Sequence, residues 1–260
     1  MQNINSFKRI VIKVGSSLLA DSKGRVNQSF LSAVSADIEW LLKNGKEVLV
    51  VSSGAIAMGR KKIILPKKLS LSESQALAAH GQIELMSAWK KSLSKYSISI
   101  GQMLLTPKET ELKVSSINAK QTVNKLIEIG CLPVINENDS TATDEIKFGD
   151  NDLLAAKVAK LMEADLLIIL SSVDGLFTSE DMINKKKPIG LVQKVTKINS
   201  KIKRMAGTAS EMGKGGMISK IEAAEICFQN NCSMVITSGN KIRPIRALNR
   251  GAKSTWFVKK

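Results

Sequence analysis

Three stretches of this chain have residue types and spacing that could do chemistry. One is Lys13, inside the apolar run RIVIKVG at 9–15. The second is GKGGMISK at 213–220, where three glycines open a helix that carries Lys220. The third is NENDSTATDEIKFGDND at 136–152, which holds six of the twenty-three acidic residues and three asparagines. A lysine in a strand is costly to bury without a compensating charge. Lys13 therefore either snorkels to solvent or pairs with a phosphate or with the acidic stretch. Glycines ahead of a helix let backbone N–H groups approach a polyphosphate, and Lys214 and Lys220 add positive charge. A plain flexible loop would look the same. The acidic stretch could bind a metal, receive a cationic group, order the lysines or decorate a solvated loop. It does not read as a calcium loop, because its carboxylates do not recur at alternate positions ahead of a central glycine and a distal glutamate.

Other chemistries are excluded by what is missing. His80 is the single histidine, so one chain cannot build a Ser-His-Asp triad, a Cys-His pair or a histidine zinc site. GAIAMGRK at 54–61 is a near miss for a P-loop, with Arg60 where lysine is needed and Lys61 where serine or threonine is needed. No G-x-G-x-x-G follows a strand, so no dinucleotide fingerprint is present. Any catalysis must use lysines, carboxylates, amides and backbone groups.

The elements that would position these residues alternate between short β-rich runs and longer amphipathic stretches, which predicts an α/β fold with a largely parallel sheet. Strands are expected at 9–15, 46–54, 97–105, 131–138, 164–172 and 232–239. Helices are expected at 26–45, through about 94 with a break near Pro66, at 116–130, 152–162 and 215–231. Four strands end in Gly or Ser where a helix follows: KVGSS, VSSGA, LSSVDG and ITSGN. Ligands of open α/β sheets bind at the carboxyl ends of the strands, so these four turns together suggest an anion-binding face.

The chain's 260 residues suffice for one large domain or two small ones. Its formal charge of +16 raises nucleic-acid binding. However, thirty-two of the thirty-nine cationic residues are lysines, and aromatics make up only 4%. Arginine forks and stacking aromatics are the usual readers of nucleic acid, so an anionic small substrate accounts for the charge better. Cys131, Cys227 and Cys232 form no C-x-x-C pair and are expected to be reduced and mostly buried. No membrane span or signal peptide is visible, so a cytoplasmic location is expected.

KVGSS (13–17), VSSGAIAMG (51–59), GQMLLT (101–106), PVINENDSTATDEIKFGDND (133–152) and GKGGMISK together resemble the amino acid kinase family, from about residue 8 to about 258. The INEND…IKFGDND stretch is similar to the branch that phosphorylates the side-chain carboxylate of L-glutamate, the first step of proline biosynthesis. The resemblance implies a three-layer α/β/α sandwich around a mainly parallel sheet, as a single domain spanning 1–260. About 1–165 would bind glutamate and about 166–260 would bind ATP with Mg2+. Lys13, Lys220 and Asp152 match the catalytic set. Ser53, Gly54, Asp139, Asp150 and Asn151 match the glutamate site. Lys13, Gly15, Ser171, Ser172, Lys214, Gly215, Gly216, Met217 and Lys220 match the ATP site. No protein metal ligands are implied.

Ser172 stands where the family pattern has aspartate, and Phe177 where tyrosine is common. Longer members carry a C-terminal PUA domain, and the resemblance here is to the short form without it. A homo-oligomer is also implied, as is feedback by proline at the loop around 136–151. Glu137, Asp144 and Glu145 receive no role and read as the solvated part of the stretch. Three other readings remain: a kinase for another acidic acceptor, such as aspartate or N-acetylglutamate; a basic nucleic-acid-binding protein without catalysis; and a nucleotide-binding regulator on a degraded kinase fold, suggested only by Ser172.

Overall fold

The structure, a computed structural model, describes residues 3–21, 23–61, 63, 69–141, 150–178, 190–207 and 216–259. Its centre is one eight-stranded sheet: β1 (Arg9–Val14), β2 (Glu47–Ser52), β3 (Ser99–Leu105), β4 (Cys131–Glu137), β5 (Leu166–Ser171), β6 (Lys194–Val195), β7 (Ser233–Ser238) and β8 (Ser254–Phe257). The spatial order is β3-β4-β2-β1-β5-β7-β8-β6. Every neighbouring pair is parallel except β7 with β8, which is antiparallel. The mainly parallel sheet matches the sequence expectation. β6 and β8 are additions: at two and four residues they are too short to show a period.

Side chains alternate between the two faces of a strand, and the core divides accordingly. Ile10, Ile12 and Val14 of β1 join a cluster with Phe30, Val34, Ile38, Leu85 and Trp89 from helices Gln28–Lys43 and Leu71–Leu93. Val11 faces the opposite cluster, with Leu154, Val158, Ile221 and Ala224 from helices Asn151–Leu161 and Met217–Gln229. Lys13, two residues beyond Val11, is therefore aimed at those same two helices. Two hydrophobic layers on one sheet give the expected three-layer sandwich.

Local chemistry sets the helix ends. Asn27 caps Gln28–Lys43 by accepting from the Phe30 N–H, and Gly45 follows at φ +69°. Ser70 and Glu73 form a capping box on Leu71–Leu93. Asp150 caps Asn151–Leu161 by accepting from the Asp152 N–H at 3.0 Å. Helix Lys113–Glu128 begins three residues before the expected 116, and a short helix, Pro107–Glu111, precedes it. Proline opens that short helix, and Thr106 and Glu109 close a capping box on it.

Helix Ala55–Gly59 lies against Leu71–Leu93 at very short range. A Cβ on Gly81 would fall 1.9 Å from the Ala55 carbonyl oxygen, and one on Gly59 would fall 2.2 Å from that of Leu77. Only glycine permits this approach, and it fixes the turn that follows β2. All three cysteines are free, and Cys227 and Cys232 are buried.

Candidate active site

The four Gly/Ser-ended strands prove to be neighbours. β2, β1, β5 and β7 lie side by side and parallel, so their carboxyl ends form one continuous edge. The N-terminus of helix Met217–Gln229 is built close to this edge, because Lys220 on that helix shares a carboxylate with Lys13 of β1.

Asp152 is wholly buried in the first turn of Asn151–Leu161. Its Oδ1 stands 2.6 Å from Lys13 Nζ, and its Oδ2 stands 2.8 Å from Lys220 Nζ. Lys13 and Lys220 are only 5% and 6% exposed, so pairing, not snorkelling, explains a lysine inside β1. Burial alone would raise the Asp152 carboxyl. The attraction of Lys13 and Lys220 outweighs it, reinforced by their hydrogen bonds, and holds the group below the ordinary carboxylate range. Lys220 also donates to the Gly216 carbonyl at 3.3 Å. Ser219 Oγ donates to the same carbonyl at 2.9 Å and reaches Asp152 at 3.4 Å. Two cations on one carboxylate leave the cluster with a net positive charge facing the strand ends.

Beside it opens a cleft of about 470 Å3 lined by Ser53, Gly54, Asn136, Asp139, Asp150 and Asn151, with Glu137 and Arg60 at its wall. Asn151 Nδ2 donates to Ser53 Oγ at 2.7 Å and to Asn136 Oδ1 at 2.9 Å, and Asn136 donates to Gln82 at 2.9 Å. Gly54 turns the chain at φ +111°, a conformation that side chains avoid. Two buried acceptors here, Asp150 Oδ2 and Asn151 Oδ1, have no hydrogen-bond partner among the described residues. Unsatisfied buried acceptors are rare, and a ligand that carries donors would answer both.

Every described residue proposed from sequence for the glutamate site lines this cleft. On the other side, Ser171 ends β5 and Ser172 follows it. A Cβ on Gly15 would lie 3.8 Å from Lys13 Nζ. Gly216 caps Met217–Gln229, while Met217 is buried in the core, so its backbone N–H is what it can offer a ligand. Lys214 and Gly215, as well as Asp144 and Glu145, lie outside the described residues.

Glu137 corrects the reading of a solvated remainder. It is the last residue of β4, is 8% exposed, and lines the cleft. Sequence reasoning missed Asn136 and Gln82, which hold Asn151 in place. The available signal was Asn136 itself, a polar residue at the end of the apolar run CLPVIN. His80 sits half-buried in helix Leu71–Leu93 and takes no part.

The model of the Amino acid kinase family matches residues 8–238. The glutamate 5-kinase of Agrobacterium fabrum is 48% identical over 255 residues, a span that covers 97% of this chain and 65% of that protein. The glutamate 5-kinase of Rhizobium etli (strain ATCC 51251) is 47% identical over 257 residues, covering 98% and 66%. The chain thus spans about 65% of the length of these curated relatives. A carbamate kinase from Giardia lamblia bound to AMP-PNP superposes with a TM-score of 0.67 at 17% identity, covering 98% of this chain and 100% of that one.

Proposed function

The chain belongs to the amino acid kinase family, and from that premise we propose that it is a glutamate 5-kinase, moving the γ-phosphoryl group of MgATP to the side-chain carboxylate of L-glutamate. The product is L-glutamyl 5-phosphate, and the step opens proline biosynthesis. The observation that carries this reading is the buried Lys13–Asp152–Lys220 cluster beside a cleft with unsatisfied acceptors.

Phosphoryl transfer asks a protein mainly to position two anions and neutralise developing charge. In this reading Lys13 and Lys220 supply that charge on either side of the transferring group, and Asp152 keeps both ammonium groups aimed. Asp139 and Asp150 receive the glutamate ammonium, a charge-assisted contact. Asn151, Ser53 and the Gly54 backbone orient the rest of the substrate. Residues up to about 165 form the glutamate half. The half from about 166 binds ATP through Gly15, Ser171, Ser172 and the backbone at Gly216 and Met217, with Lys214 and Gly215 completing that set. Mg2+ enters with the nucleotide. Among the described residues no group of three acidic, histidine or cysteine side chains could hold a metal.

The same reading takes the protein as a cytoplasmic homo-oligomer subject to feedback by proline. Among the described residues no helix is long and apolar enough to cross a membrane. A coupled assay for ADP release tests the function, run with L-glutamate, L-aspartate and N-acetylglutamate, each with and without proline. Glutamate-dependent turnover is expected. N-acetylglutamate is expected to fail, because its acylated nitrogen carries no charge for Asp139. Turnover with aspartate or N-acetylglutamate but not glutamate would sink the assignment.

A further inference from the structure

Helix Pro244–Asn249 and its flanks carry three of the chain's seven arginines: Arg243, Arg246 and Arg250. All three line one cavity of about 470 Å3, floored by Gly251 and Ala252. A second cavity of about 350 Å3 shares Gly251 and Ala252 and adds Lys194, Lys253 and Trp256. The two adjoin at these residues as one grooved face. Five cationic residues line it, and among the described residues no carboxylate does. None of its residues lines the cleft described above.

The nearby charges do not neutralise it. Asp37 is fully buried beneath the helix and accepts from the Ile245 and Arg246 N–H groups at 2.8 and 3.4 Å. It stands 3.9 Å from Arg246 Nε, and Arg246 is further held 5.5 Å over the Trp40 ring. Lys241 is occupied by Asp174 at 2.7 Å. Among the described residues, Arg243 and Arg250 make no close side-chain hydrogen bond or ion pair, although the Arg243 charge also acts on Asp37.

We propose that this groove is a second anion site, separate from the catalytic cleft, that takes nucleoside phosphates, either free or within a single-stranded nucleic acid. Guanidinium forks match phosphate oxygens in pairs, and three forks sharing a concavity with one buried carboxylate beneath repel each other until an anion enters. Five cations in two adjoining cavities exceed what one carboxylate balances, so the ligand carries several negative charges or repeats along the groove. Trp256, half-buried and stacked on Phe7 at 6.3 Å, gives the second cavity an aromatic wall suited to a base.

The test compares the wild-type chain with the double variant Arg243→Ser, Arg250→Ser. AMP binding is read by calorimetry, and binding of a fluorescein-labelled mixed-sequence single-stranded RNA by anisotropy. The wild type is expected to bind at least one probe, with affinity falling about tenfold or more in the variant. For RNA, the slope of log K against log salt should fall by about 1.4, two phosphate contacts at ~0.7 each. AMP binding lost in the variant assigns a free nucleotide, and RNA binding lost in the variant assigns nucleic acid. The proposal is overturned if neither probe binds the wild type, or if the variant binds as tightly. Thermal unfolding checks the variant's fold, and Arg250→Ser alone, at an exposed position, repeats the comparison if the double variant unfolds.

Discussion

Replacing Asp152 with asparagine keeps the side-chain shape and removes the one charge shared by Lys13 and Lys220. The two ion pairs that this breaks are 2.6 and 2.8 Å long, between groups at most 6% exposed. Breaking a buried pair by removing one partner costs about 3–5 kcal/mol, because the remaining charge is left uncompensated. Here two like charges remain, so the upper half of that range is expected in urea unfolding at pH 7. On the proposed mechanism kcat falls by about 10²–10³, the usual loss when one preorganised electrostatic interaction is removed. Charge adds a signature that loss of packing would not give. The phosphates of MgATP replace the missing negative charge, so MgATP should raise the unfolding midpoint of Asp152→Asn more than that of the wild type. The wild-type ion pair has its own pH sense. Asp152 is held below its ordinary 3.8, so its contribution is complete above that value and is lost as pH falls through the lower folded value. A variant with wild-type stability, wild-type kcat and an unchanged response to MgATP would refute the reasoning.

Three further outcomes follow from the same geometry. Lys13→Ala and Lys220→Ala should each lower kcat by about 10²–10³ in the ADP-release assay, and wild-type kcat in either would remove that lysine from the mechanism. Asn151→Ala deletes the link between Ser53 and Asn136; the KM for glutamate should rise about tenfold or more, as expected when one hydrogen bond of ~1.4 kcal/mol is removed, while the KM for ATP should hold. Burial raises the Asp37 carboxyl from 3.8 to about 6, against the hydrogen bonds from Ile245 and Arg246, so the folded state keeps a proton that the unfolded chain releases between those values. Stability attributable to this group therefore falls as pH rises from about 4 to 6. The shift is 6 − 3.8, or roughly two units, and at 1.36 kcal/mol per unit this gives at most ~3 kcal/mol. Asp37→Asn should gain on the wild type over that window in urea unfolding, and a pH-independent difference would contradict the burial argument.

The parts of this fold that sequence displays are those in which one segment carries its own signal. β1, β2, β4, β5 and β7 are continuous apolar runs ended by turn residues, and each lies within about two residues of its expected place. The helix cap at Asn27 and the stop at Gly45 are likewise local. What was hidden depends on partners distant in the chain. β8 is a strand because Ser254–Phe257 finds β7 in antiparallel register, and nothing inside four residues announces that. Glu137 looked like a solvated acid because its stretch is polar. It is buried because β4 carries it one step beyond Asn136, whose own partner Gln82 is fifty-four residues earlier. The Asn151–Asn136–Gln82 chain joins three elements, and one-dimensional spacing has no term for it.

The two buried lysines were legible by different routes, Lys13 as a charge inside an apolar strand and Lys220 from its glycine-rich approach, yet each stands where local physics disfavours it. Lys13 occupies a strand position buried on both sides by β2 and β5. Lys220 is the fourth residue of Met217–Gln229, near the positive end of the helix dipole, where cations are destabilising. Asp152 is the opposite case, an anion in the first turn of its own helix, where the dipole favours it. One well-placed carboxylate thus holds two badly placed ammonium groups. A stabilising device would not need both lysines, since replacing a buried ion cluster by apolar side chains is often neutral or favourable. The cluster makes physical sense when its surplus positive charge is completed by an anionic ligand at the strand ends, which is the condition a kinase meets each time its nucleotide arrives.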